Sequence, residues 1–115
     1  MQTKWLLSAM SLALALLFMP QGAQAFECPK HIAAAQVAID KVAADMEADT
    51  PWKRTEDKAL VHALLDDAKS RLASARHNHE KPQSAYDHAR AIAKADGALG
   101  YAKAADTFHF VLLAT

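Results

Sequence analysis

Residues 61–79 read VHALLDDAKSRLASARHNH, and their apolar pattern decides the fold. Val61, Leu65, Ala68, Leu72 and Ala75 recur at alternating spacings of four and three, with Asp66, Asp67, Lys69 and Arg71 between them. That is the period of a helix with one buried stripe. A half-buried strand would instead alternate at every second residue. Thr55 stands where it can cap this helix, which the pattern carries to about His79. Lys81-Pro82 marks the turn that follows.

The same period extends upstream. Ile32, Ala35, Ile39, Val42 and Met46 form a stripe that predicts a helix from about Pro29 to Glu47. Pro29 suits a first helical position, where a missing N–H costs nothing. Asp49-Thr50-Pro51 closes the segment, because a residue before proline is pushed out of helical dihedrals. Downstream, a third helix begins near Pro82 or Ser84. Ala85, Ala89, Ile92, Leu99 and Ala102 supply its expected inner face, and Phe108 to Leu113 form an apolar end. Gly97 and Gly100 leave open a break into two helices, since each glycine costs about 1 kcal/mol relative to alanine in a helix interior. No strand or hairpin signal competes. The fold class is therefore all-α, an up-down-up three-helix bundle with a four-helix alternative.

Residues 1–25 read as a secretory signal peptide. Lys4 gives a positive start, Leu6 to Met19 an uncharged apolar core, and Ala23-Gln24-Ala25 a small-x-small cleavage site. The run is short for a membrane span, which needs about 20 apolar residues. Glu27 stands before Cys28 where a lipoprotein signal wants a small residue. Cleavage after Ala25 is expected, leaving residues 26–115 as one helical domain, exported, periplasmic and without a stable membrane anchor. The leader removes Lys4 and no acid, so 13 basic and 13 acidic side chains become 12 and 13. Such a balance does not favour nucleic acid or an anionic membrane surface.

The chain has 1 cysteine and 6 histidines. In an up-down-up bundle the start of helix one, the end of helix two and the start of helix three share a pole. Cys28 and His31, His77 and His79, and His88 lie at those three ends. Cys28 continues the stripe four residues before Ile32, His79 continues it four after Ala75, and His88 lies four before Ile92. His31 shares a helix face with Cys28. His77 is nearly opposite His79 unless the helix end unwinds. Thiolate and imidazole together suit copper, zinc or nickel, with copper or zinc ahead of nickel. Asp87 or Glu80 is placed to orient an imidazole. His62 and His109 lie away from this pole and read as structural or surface residues.

The stretch from Ala73 to Asp106, chiefly ArgHisAsnHisGlu at 76–80 and TyrAspHisAlaArg at 86–90, resembles small exported histidine-bearing helical proteins of the small metal-binding protein type. The resemblance implies an antiparallel bundle that binds divalent metals, copper included, through histidines. It carries over to His77, His79 and His88.

Other functions find less support. There is no phosphate loop, nucleophile elbow or zincin helix, and no enzyme is expected. Cys28-Pro29-Lys30-His31 lacks the second cysteine and adjacent histidine of covalent haem attachment. Non-covalent haem or a redox role stands third. The main rival is a metal-free interaction module, forming a homodimer or meeting a periplasmic partner. If Phe26, Trp52, Phe108 and Phe110 are exposed together, they make an apolar patch. Trp52 and the C-terminal aromatics are expected instead to plug the far end of the bundle. The expected protein binds a transition metal at one pole, for buffering, chaperoning or sensing.

Overall fold

The computed structural model describes residues 22–48, 52 and 54–114. Three helices follow one another: α1 Gly22–Ala48, α2 Thr55–Glu80 and α3 Ala85–Ala114. Most of the expected leader, residues 1–21, lies outside the described residues. No helix among those described is long and apolar enough to cross a membrane.

Polar links between helices define their directions. His31 meets Asp96 and Lys41 meets Asp106, both at a separation of 65 positions, so α1 and α3 run parallel. Arg76 donates to Gln36 at 2.7 Å, and Lys94 donates to Ser74 at 2.7 Å and to Asn78 at 2.6 Å. Arg71 donates to Tyr101 at 3.2 Å, so α3 numbers rise as α2 numbers fall, and α2 runs antiparallel to α3 and hence to α1. The topology is up-down-up, as the short connections require.

Each helix buries a stripe with alternating steps of three and four. On α1 these are Cys28, Ile32, Ala35, Ile39, Val42 and Met46, and on α2 Val61, Leu65, Ala68, Leu72 and Ala75. A repeat of 3.5 residues lets helices lie side by side with their seams in register. The inner face of α3 shares only Ala102 with the expected one. It consists of Ala91, Ala95, Ala98, Ala102 and Ala105, all fully buried, while Ile92 and Leu99 pack at the margins. Alanine wins the centre because α3 lies against both other helices. A methyl group lets two backbones approach where an isoleucine would hold them apart.

Other expectations also change. α3 is continuous, so the four-helix alternative does not hold. A methyl group added at Gly97 would meet only the Arg71 Cδ at 3.7 Å, and one at Gly100 would meet open space. Neither glycine marks a tight helix contact. α1 begins at Gly22 and passes through Pro29, because Ala23 to Phe26 are compatible with helix and extend it backwards. Thr55 is the first residue of α2, and Arg54 holds the extended cap position without a side-chain cap bond. Glu56 and Asp57 in the first turn, with His77 and His79 in the last, suit the helix dipole.

Candidate metal centre

Three donors meet at one end of the bundle, one from each helix. Cys28 lies in the first turns of α1, His79 in the last turn of α2 and His88 in the first turn of α3. Their ligand atoms lie within 4.8 Å of one another, the one such Cys/His/carboxylate group among the described residues. Helical period explains the convergence. Cys28 ends the α1 stripe. His79 follows Ala75 by four, and His88 precedes Ala91 by three, so both extend buried stripes.

The Cys28 Sγ lies 4.0 Å from the His88 Nδ1 and 3.3 Å from the His88 carbonyl oxygen, to which the thiol donates. The rings of His79 and His88 meet edge to face, with centroids 5.9 Å apart and planes inclined at 65°. Cys28 is fully buried, and both imidazoles are half-buried. An ion holding sulfur at about 2.3 Å and nitrogen at about 2.0 Å keeps those atoms ~3.5 Å apart when tetrahedral and ~3.7 Å when trigonal. The observed 4.0 Å needs only a small contraction.

Burial also sets the state of the thiol. Burial pushes the Cys28 thiol above its ordinary range, and a backbone hydrogen bond of Cys28 opposes that shift more weakly. A bound cation reverses the balance, because its charge stabilises the thiolate that desolvation penalises. The His79 Nδ1 is buried without a hydrogen-bond partner. Leaving a buried polar atom unsatisfied costs about 1–3 kcal/mol. An imidazole nitrogen in that condition is relieved by accepting a metal.

Two of the five residues singled out from sequence lie elsewhere. His31 turns toward α3, where its Nδ1 lies 2.6 Å from the Asp96 Oδ1. His77 is exposed, because α2 stays regular to Glu80 and residues two apart face nearly opposite ways. Its carbonyl instead accepts the Lys81 N–H at 3.0 Å and closes the helix. Asp87 does not orient an imidazole. Its Oδ2 accepts the Gln83 N–H at 2.7 Å and holds the turn into α3. His109 is buried and its ring lies 5.2 Å from that of Trp52, a structural position as expected, while His62 is exposed.

Sequence reasoning missed the group that braces this pole. Asn78 is buried beside His79, and the Lys94 ammonium ties it to Ser74 across the α2–α3 seam. This clamp fixes the last turns of α2, which carry His79. Asn78 lies three residues after Ala75, so its place on the stripe was a usable signal; Lys94 carried none.

Compared with known proteins, the chain matches no family model, no curated protein and no solved structure.

Proposed function

We propose that this protein is a small exported metal binder that holds a copper or zinc ion between Cys28, His79 and His88. The observation that carries the reading is that each helix delivers one soft or borderline donor to the same point. Nickel takes the same donors less readily in a three-ligand site of this type. The role is buffering or handing on the ion, not catalysis. This fits the resemblance noted at 76–80 and 86–90, with His77 withdrawn from the ligand set.

The place of Pro29 fits the expected export. Within α1 the Pro29 ring interrupts the hydrogen-bond ladder, and proline inside a helix costs about 3 kcal/mol. Cleavage after Ala25 would leave Pro29 in the first turn, where amide groups have no intrahelical partner anyway. The metal pole then becomes the amino-terminal end of a periplasmic domain.

Metal analysis of untagged protein, followed by titration with zinc and with copper(I), tests the proposal. One equivalent should bind, and Cys28→Ser and His88→Ala should each abolish stoichiometric binding. Full binding in both variants would refute the site. A metal-free interaction module is the second reading, favoured near the opposite end, where Trp52 packs against the core but Phe108, Phe110 and Val111 are exposed and the C-terminal aromatics do not form the expected plug. It prevails if neither metal binds the native chain.

A further inference from the structure

The α1–α2 seam is open along much of its length among the described residues. Three cavities of about 450, 360 and 290 Å³ follow one another along it. The first two share Gln36 and Arg76, and the last two share Ala43 and Lys69, so they form one groove down the bundle. Ile39 and Leu72 line its middle. Val37 stands on its lip, 69% exposed. Ion pairs bridge α1 to α3, whereas Arg76 to Gln36 is the side-chain hydrogen bond that spans this seam among the described residues.

Along the second and third cavities the two walls carry opposite charge, whereas the α2 wall of the first also holds Glu80. Asp40 and Glu47 stand on the α1 side, and Lys58 and Lys69 on the α2 side. All four are exposed, and none enters an ion pair among the described residues. A groove with an acidic wall and a basic wall complements itself under one kind of two-fold symmetry. An axis parallel to the helices sets α1 of one copy against α2 of the other at equal height, acid to base. An axis across the helices sets α1 against α1, acid to acid, which is repulsive. Gln36 is level with Arg76 in the antiparallel pair, so Lys69 lies between the heights of Asp40 and Glu47. In the favoured arrangement Lys69 of one copy faces both carboxylates of the other.

We propose that this groove is the interface of a homodimer whose two-fold axis runs parallel to the helices, sealed by Val37 and by Lys69 against Asp40 and Glu47. The four residues that seal the interface are not metal donors, although His79 lines the end of the groove nearest the metal pole. The dimer encloses the apolar seam that one copy leaves open.

Sedimentation velocity on the purified protein over a wide concentration range, with and without metal, tests it. The mass should rise to twice that of the monomer, and added salt should weaken the association. Lys69→Glu should raise the dimer Kd about tenfold or more, because like charges then face each other on both sides of the axis. Adding Asp40→Lys and Glu47→Lys to that chain should restore it. Val37→Asp gives the same loss by an independent route, and circular dichroism confirms that each variant stays helical. A protein that is monomeric throughout overturns the proposal. So does a dimer that survives both Lys69→Glu and Val37→Asp. The same measurements on Cys28→Ser, which should dimerise normally, keep this outcome separate from that of the metal site.

Discussion

The two ends of the α3 alanine face invite comparison. His88 and His109 both continue that face, at opposite poles of the bundle, one before Ala91 and the other after Ala105. At the His88 pole α1 and α2 deliver a thiol and an imidazole. At the other pole the ring facing His109 belongs to Trp52, inclined at 50°, and Trp52 packs against the apolar core. Two histidines at equivalent helical positions thus acquire different chemistry from what their neighbours bring. A histidine on a buried stripe is a ligand only where other donors meet it.

Variants at the two poles separate these roles, and the largest effect is expected at the metal pole. Cys28→Ser should weaken zinc or copper(I) binding about 100-fold or more, because a thiolate is replaced by a weak neutral donor. His109→Ala should leave affinity unchanged and lower stability by roughly 1–3 kcal/mol through lost packing, measured by urea unfolding. If His109→Ala weakens binding as much as Cys28→Ser, the distinction between the poles fails.

Acidity sharpens the contrast. Burial raises the Cys28 pKa, so below that value metal must displace a proton from sulfur. Affinity should fall by about tenfold per pH unit on acidification, because each bound ion releases the thiol proton. Competition titrations at several pH values check this. The sign for the apo protein follows from the same shift. A thiol whose folded pKa is raised favours the folded state while protonated. That contribution is present below the ordinary thiol range and is lost as pH rises through the unfolded and then the folded value. Apo stability should decline on the alkaline side, and bound metal should remove that decline.

The alanine face between the poles is the next test. Ala98→Leu should destabilise the fold by roughly 1–3 kcal/mol, since a fully buried methyl site has no room for an isobutyl group. The smallest effect is expected at Gly100. A methyl group there meets open space, so Gly100→Ala should stabilise the protein by about 0.5–1 kcal/mol in thermal or urea unfolding.

Much of this architecture is legible along the chain. The α1 and α2 stripes could be read residue by residue, because large apolar side chains at helical period have one economical place to go. Cys28 and His79 extend those stripes, which is why their inward direction could be anticipated. The α3 face could not be read the same way. Its core is alanine, and alanine is spread over most of that helix, so period alone did not distinguish Ala91, Ala95 and Ala98 from Ala85 and Ala89. The larger Ile92 and Leu99 drew the expected face away from the true one. His88 was nonetheless placed correctly, because positions three and four residues ahead of it lie on adjoining parts of one helix surface.

His31 shows the opposite limit. It lies on the turn of Cys28 and is an equally good ligand by type, yet Asp96, 65 positions away, claims it. No local pattern announces such a partner. Sequence by itself determined the helical class, the two large-residue stripes and the pole at which donors gather, since these follow from local period and short connections. Only the packing of three helices decided which donors share a point, which face of α3 is buried and which seam stays open. Those outcomes depend on distances between residues far apart in the chain, and side-chain volume sets those distances.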